Sequence, residues 1–277
     1  MSRGAGRPVP PLAPHRARKR FGQHFLEPAW VDKVVAALDP QPGDTFLEIG
    51  PGRGALTIRL APRVARVIAV EIDRDLAAAL PRAVPGPVRV VEGDVLDTDL
   101  TSLLESEVAP VRVVGNLPYN VATPILFQLL AAAGSGRRLG DATVMLQKEV
   151  AERVVARPGS RDYGSLAVHV ALDADADLIL TLPPGAFRPP PKVTSAVVRL
   201  RFRPPTVDVG DRAVFGRLVR GAFQQRRKTL LNALGPVAGT LGGRTAADLI
   251  ERAGVDPQIR PGEVPLSGFA ALSRAVL

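Results

Sequence analysis

Between Asp44 and Gln147, short apolar runs alternate with helical stretches, and that rhythm restricts the fold more than any other feature of the chain. The strand candidates are Thr45–Ile49, Val67–Ile72, Val88–Val91, Val111–Val114 and Thr143–Leu146. Helical stretches separate them at Gly54–Leu60, Arg74–Leu80, Leu100–Glu107 and Val121–Ala133. Strands that are apolar on both faces, joined by helical crossovers, belong to a parallel sheet covered by helices. A helix over Pro28–Leu38 precedes the first strand, with a proline in its first turn. Two more strands are expected at Leu166–Leu172 and Ser195–Phe202, a hairpin-like pair closing the sheet. Pro204-Pro205 marks a boundary, after which residues 211–275 read as short helices with Gly and Pro breaks. The expected organisation is a disordered basic tail over 1–18, an α/β domain over 19–203 and a small all-helical domain over 204–277. The 277 residues suffice for one medium domain with such an appendage.

The first strand runs into Glu48-Ile49-Gly50-Pro51-Gly52-Arg53-Gly54. Gly50 and Gly52 let the backbone turn tightly and approach a ligand at the carboxyl edge of the sheet. The spacing is G-x-G-x-G and lacks the third glycine position of a dinucleotide fingerprint. A glycine-rich turn alone is often only a turn; its neighbours sharpen it. Glu71 ends the second strand, 17 residues after Gly54, where a carboxylate can accept both hydroxyls of a ribose. Asp94 ends the third, in Glu92-Gly93-Asp94-Val95, where it can accept from an adenine amino group. Either acid by itself would more often be a helix cap or a solvated loop residue. Together, the three strand ends point to an adenosine-bearing cofactor without a pyrophosphate, and S-adenosylmethionine fits that description.

The fourth strand ends in Gly115-Asn116-Leu117-Pro118-Tyr119-Asn120. The exocyclic amine of adenine is a poor nucleophile because its lone pair is delocalised into the ring. The Asn116 side-chain oxygen and the Leu117 carbonyl can accept its two protons and localise that lone pair towards a methyl group. Pro118 stiffens the turn and brings no N–H, and Tyr119 can stack on the base. A sulfonium is already a good leaving group, so positioning and electrostatics suffice without a metal. The plain alternative is an Asn-Pro turn with Tyr119 in the core.

Charge suggests the partner. Lys and Arg number 36 against 27 Asp and Glu, a net charge of +9. Residues 1–26 hold Arg3, Arg7, Arg16, Arg18, Lys19 and Arg20 without an acid, and 217–228 hold Arg217, Arg220, Arg226, Arg227 and Lys228 without one. One basic run could be solubilising charge; two flanking a balanced domain favour nucleic acid. With no cysteine, disulfides, thiolate metal sites and cysteine nucleophiles are excluded. His15, His24 and His169 lie far apart, so no histidine-rich metal site is expected. No apolar run approaches the roughly 18 to 20 residues of a membrane span. The prolines near the N-terminus break any apolar segment a secretory signal would need, so a cytoplasmic protein is expected.

These motifs, with three more, resemble the small-subunit ribosomal RNA adenine N6-dimethyltransferase family over about residues 18–275. The added pieces are Arg18–Leu26, Phe187-Arg188-Pro189-Pro190-Pro191-Lys192-Val193 with Ser195, and Phe223–Leu230. The resemblance implies a Rossmann-like S-adenosylmethionine-dependent methyltransferase domain followed by the helical domain. It implies cofactor contacts at His24, Leu26, Gly50, Glu71, Asp94 and Asn116. His24 stands where many members have asparagine, which puts more weight on the Leu26 backbone. Phe187 would stack on a flipped-out adenine opposite Tyr119, with Lys192 and Arg226-Arg227-Lys228 near RNA phosphate. The implied reaction is dimethylation of N6 on two adjacent adenosines near the 3′ end of small-subunit rRNA. A monomer would act on the immature small ribosomal subunit during its biogenesis. Two alternatives are the related large-subunit rRNA methyltransferases that confer macrolide resistance, and a non-catalytic assembly or transcription factor built on this fold. The Phe187–Val193 loop and Phe223–Leu230 argue against the first, and the intact Asn116–Tyr119 turn with Glu71 and Asp94 against the second.

Overall fold

The computed structural model describes residues 24–84, 86–107, 110–136 and 139–276. The expected tail over 1–18 and the motif residues Arg18–Gln23 lie outside the described residues. A short strand β1 (Phe25–Leu26) leads into helix α1 (Pro28–Leu38). Val31, Val34, Val35 and Leu38 fall on one face of α1 at helical spacing and are buried. The helix starts with Pro28 in its first turn and stops at Asp39, whose backbone is left-handed.

The alternating region folds as β2 (Thr45–Ile49), α2 (Thr57–Leu60), β3 (Arg66–Glu71), α3 (Arg74–Ala83), β4 (Val88–Glu92), α4 (Leu100–Leu103), β5 (Val111–Asn116), α5 (Ala122–Gly134) and β6 (Leu139–Gln147). All five residues of β2 are buried, as a central strand with two covered faces requires. The chain continues through α6 (Lys148–Val154), α7 (Ser165–Asp173), β7 (Ala174–Leu182), β8 (Phe187–Arg188) and β9 (Ser195–Phe202), then α8 (Arg212–Gln224), α9 (Leu230–Ala238), α10 (Ala246–Ala253) and α11 (Leu266–Arg274). Among the described residues the main sheet has seven strands in the order β4-β3-β2-β5-β6-β9-β7, and β1 pairs separately with β8. The pairs β2–β3, β3–β4, β2–β5 and β5–β6 are parallel.

Starting at β2, the chain builds outward through β3 and β4, then returns to place β5 on the other side of β2. The strand order therefore reverses between β2 and β5. A crevice opens at the carboxyl ends of the strands flanking such a reversal. Gly50 and Asn116 stand at those two ends.

One expected strand is wrong. Leu166–Leu172 lies inside helix α7, and the strand begins at Ala174. Leu166, Ala167, Val168, Val170 and Leu172 are all buried, so the run is apolar on every side and its periodicity cannot separate helix from strand.

By packing, the chain divides into two units. Among the described residues the first comprises 24–128, 136–148 and 178–199, and its core gathers Leu38, Phe46, Leu60, Leu80, Val114 and Phe187 among others. The second comprises 129–135, 149–177 and 200–277, with a core that includes Tyr163, Phe215, Leu234, Leu249 and Phe269. In the second unit Arg212 holds the buried Asp173 by a two-pronged ion pair, at 2.9 and 2.8 Å. Arg203 closes the end of α7 by donating to the Ala171 and Leu172 carbonyls.

Candidate cofactor and substrate site

The turn after β2 carries Gly50, Gly52 and Gly54 with φ of 65°, 58° and 75°. A side chain at Gly52 would be strained by that φ and would meet the Phe25 ring at 3.2 Å. The turn is held from β3: Glu71 accepts from the Gly52 N–H at 2.8 Å and from the Asp73 N–H at 2.9 Å, one on each carboxylate oxygen. A carboxylate has about four acceptor positions, so Glu71 keeps acceptor capacity for a hydroxyl beside these N–H groups. Glu71 is 3% exposed, and burial pushes its pKa up against the opposing pull of those N–H donors.

A second acid, Glu48 on β2, lies beneath the same turn at 2% exposure. Its Oε2 accepts from the Thr57 hydroxyl at 2.7 Å. Burial, and then the neighbouring Glu71 charge, push its pKa up to about 7. Motif spacing assigns Glu48 no role beyond opening the glycine loop. The signal that could have singled it out is an acid inside the otherwise apolar run Thr45–Ile49.

Across the crevice, β5 ends at Asn116. Gly115 precedes it because a Cβ there would sit 2.6 Å from the Ile49 carbonyl oxygen. The Asn116 side-chain nitrogen donates to the His24 carbonyl at 2.7 Å. That bond settles which way the amide points and leaves Oδ1 as the acceptor. The Leu117 N–H is spent on the Met145 carbonyl of β6 at 3.2 Å, which holds the start of the turn to the neighbouring strand. Tyr119 is half-buried. Its hydroxyl lies 2.6 Å from the Ser195 hydroxyl, and its ring stacks on His24 with centroids 5.8 Å apart. Burial raises the Tyr119 pKa, so the phenol stays protonated.

The segment His24–Glu27 is fastened over this end of the crevice. His24 Nδ1 is 2.8 Å from the Pro189 carbonyl, Phe25 and Leu26 pair with Arg188 and Phe187, and the Glu27 N–H donates to the Ala186 carbonyl at 2.8 Å. His24, Leu26, Gly50, Gly52, Glu71, Asn116, Leu117 and Tyr119 thus line one cavity, with Glu48 and the 44%-exposed Ile72.

Asp94 and Phe187 are not in its walls. Asp94 caps the turn Val95–Asp97 by accepting from the Leu96 N–H at 2.9 Å. The Gln128 side chain on α5 donates to the Val95 and Thr98 carbonyls at 2.8 and 3.1 Å, clamping that turn. Sequence reasoning missed Gln128, since a single glutamine in an apolar helix carries no motif. Phe187 is 0% exposed and belongs to the core cluster, so it offers no free ring face in this conformation.

The donor set fits S-adenosylmethionine. Each of the two buried carboxyls has a second acid acting on it: Glu71 on Glu48, and Asp73 on Glu71. Such a cavity favours a cationic ligand with hydroxyls. Among the described residues no group of three or more His, Asp or Glu is placed to hold a metal ion, and no helix is long and apolar enough to cross a membrane.

The second unit carries a separate basic cleft. Arg161, Arg226, Arg227 and Arg260 line it with a single acid, Glu263, and Arg226 donates to the Arg161 carbonyl at 2.8 Å. Arg226, Arg227 and Lys228 are exposed.

The ribosomal RNA adenine dimethylase family matches residues 14–260 of the chain. The ribosomal RNA small subunit methyltransferase A of Acinetobacter baylyi is 45% identical over 263 residues, 94% of this chain and 92% of that protein. Among solved structures, a dimethyladenosine transferase from Plasmodium falciparum is 26% identical with a TM-score of 0.73, covering 90% of this chain and 96% of its own. The 23S rRNA methyltransferase ErmE is 25% identical with a TM-score of 0.62, covering 91% and 99%.

Proposed function

The chain belongs to the ribosomal RNA adenine dimethylase family, and we propose that the crevice between β2 and β5 is where it brings a methyl donor and an extruded adenosine together. It is an S-adenosylmethionine-dependent enzyme that dimethylates adenosines of small-subunit rRNA. The closer sequence match to small-subunit enzymes than to ErmE supports that substrate over the large-subunit alternative.

In this reading Glu71 takes the ribose hydroxyls, Gly50 and Gly52 let the backbone close on the cofactor, and Asp94, outside the cavity walls and with one oxygen on the Leu96 N–H, would offer its other oxygen to an adenine reaching beyond that cavity. The Leu26 backbone and His24 close the near wall. When bound, the cofactor supplies a methyl group on a sulfonium that leaves readily as a thioether. Everything else is positioning by the chain. A base within a helix cannot present its amine, so the adenosine must leave the stack. Tyr119 supports its face, held by Ser195 and His24. Asn116 Oδ1 and the Leu117 carbonyl accept the two amine protons. As the N–C bond forms, the lone pair comes out of conjugation and these acceptors gain strength, which is stabilisation of the transition state and not of the ground state. Phe187, paired with Leu26 and buried in the core, backs the wall. The observation that carries this reading is the Asn116–His24 bond, since it commits the amide nitrogen and frees the oxygen.

The basic cleft of the second unit and the exposed Lys192 then hold RNA phosphates, which positions the substrate without reading its sequence. We take the targets to be two adjacent adenosines near the 3′ end of the rRNA, in the immature small subunit. The working form is a monomer in the cytoplasm, with the helical domain over 204–277 serving recognition.

Mass mapping of rRNA after incubating undermethylated small subunits with protein and cofactor tests the reading. Two neighbouring dimethylated adenosines near the 3′ end are expected. Methylation of large-subunit rRNA alone, or of no adenosine, contradicts it.

A further inference from the structure

Glu48 has no task in the reaction as derived above, yet it lines the cofactor cavity while being almost wholly buried. In register beside it are Ala69 on β3 and Val114 on β5, neither of which can neutralise it. Thr57 on α2 gives it one hydrogen bond. The titratable groups sharing the cavity with it are Glu71, His24 and Tyr119. The cation of the glycine loop, Arg53, is set with its guanidinium over the Phe25 ring, 4.8 Å from the centroid. Burial pushes this carboxyl's pKa up to about 7, which brings its titration into the neutral range.

We propose that Glu48 reads the charge on the cofactor's sulfur, so that the cleft holds the sulfonium donor and releases the thioether left after transfer. The inference rests on the cofactor site proposed above and deepens it. A cation entering the cavity favours the carboxylate, so Glu48 gives up a proton to solvent as the donor binds. In each transfer the S–CH₃ bond breaks as the N–CH₃ bond forms. The sulfonium becomes a neutral thioether, and the methylated amine loses one proton to water. With the positive charge gone, Glu48 takes a proton back from solvent and the charge-assisted part of the binding is lost. Dimethylation needs two donors for one nitrogen, so spent cofactor must leave at least once per adenosine. A group that weakens the product complex as soon as the product forms serves that exchange.

Calorimetry of the full chain with S-adenosylmethionine and with S-adenosylhomocysteine, each in two buffers of different ionisation enthalpy, counts the protons released. The sulfonium also lowers the pKa of the ligand's own amino group, and titration of each free ligand supplies that correction. The donor is expected to release more protons at pH 7 than the thioether. The ratio of their affinities should rise on the order of fivefold from pH 6 to pH 8, as a pKa difference of about one between the two complexes requires. Sinefungin, which carries an ammonium near the sulfur position, should behave as the donor does. Glu48→Gln should abolish the difference and flatten the ratio. Thr57→Val, which removes a donor to the carboxylate, should move the rise to higher pH and covers the case of a poorly folding Gln variant. Equal proton release by the two ligands, or a pH-dependent ratio that survives in Glu48→Gln, overturns the inference and leaves the cofactor site standing. Failure of both ligands to bind overturns the site and the inference together.

Discussion

Tyr119 and Ser195, 76 residues apart in the chain, meet hydroxyl to hydroxyl at 2.6 Å. Tyr119 follows β5 and Ser195 opens β9, so the bond ties the turn that ends in the stacking ring to a strand two places along the sheet. Tyr119→Phe and Ser195→Ala remove the same bond from opposite ends. Each should slow methyl transfer by roughly the worth of one hydrogen bond, about 0.5–1.5 kcal/mol. The double variant should be no worse than either single one, because the two share one interaction. Single-turnover rates on the four proteins of this cycle provide the check, and additive losses would show that the hydroxyls act separately.

Phe187 is a core residue in this structure. Phe187→Ala should cost on the order of 3–5 kcal/mol of stability, and Phe187→Leu much less. Denaturant unfolding reads both. If Phe187→Ala left the midpoint unchanged while blocking transfer, a free stacking ring would be the better account of this residue.

Burial raises the Glu48 pKa from 4.5 to about 7, which fixes the sign of a stability effect. The unfolded chain gives up this proton near pH 4.5, while the folded chain keeps it to about pH 7. Below both values the group contributes nothing against folding, and stability is lost as pH rises between them. Glu48→Gln removes that loss. Its stability relative to the parent should therefore increase across this window by up to on the order of 3 kcal/mol, since each pH unit between the two pKa values is worth about 1.4 kcal/mol. Urea midpoints of the two proteins across that range would show it, and a constant difference would place the carboxyl in a more polar setting than its burial implies.

For the basic cleft, binding to undermethylated small subunits should weaken steeply with salt. Neutralising Arg226, Arg227 and Lys228 should flatten the slope by up to about two to three units. Cofactor affinity, measured alongside, should stay as in the parent. An unchanged slope would reduce the run to a solvated face.

Much of the fold was legible because its strands are apolar on both faces and lie between clear turn residues. Thr45–Ile49 and Ser195–Phe202 match their sequence-based bounds, and Pro28–Leu38 matches as a helix. Leu166–Leu172 failed because a segment buried all round has no polar face to set its period, whereas Ala174-Asp175-Ala176-Asp177 carried an alternation that was there to be read. At the site, the glycine turn, Glu71 and the Asn116 turn announce themselves as strand ends. Their supports do not. The His24 carbonyl under Asn116 is a backbone atom, 92 residues away, and no side-chain pattern encodes it. Gln128 likewise acts through contacts that exist only once the sheet has formed, and Ser195, though it belongs with the Phe187–Val193 motif, gives no sign in the sequence that its partner is Tyr119.

In the proposed reaction Asn116 Oδ1, freed by the bond of its nitrogen to the His24 carbonyl, accepts from the adenine amine as it is methylated. Asn116→Ala removes that acceptor, and single-turnover methylation of undermethylated subunits at saturating cofactor, run beside filter binding, measures the result. RNA affinity should be nearly that of the parent while the transfer rate falls by about 10²–10³-fold, the scale for loss of one preorganised transition-state partner. A parent-like transfer rate in Asn116→Ala would contradict the account.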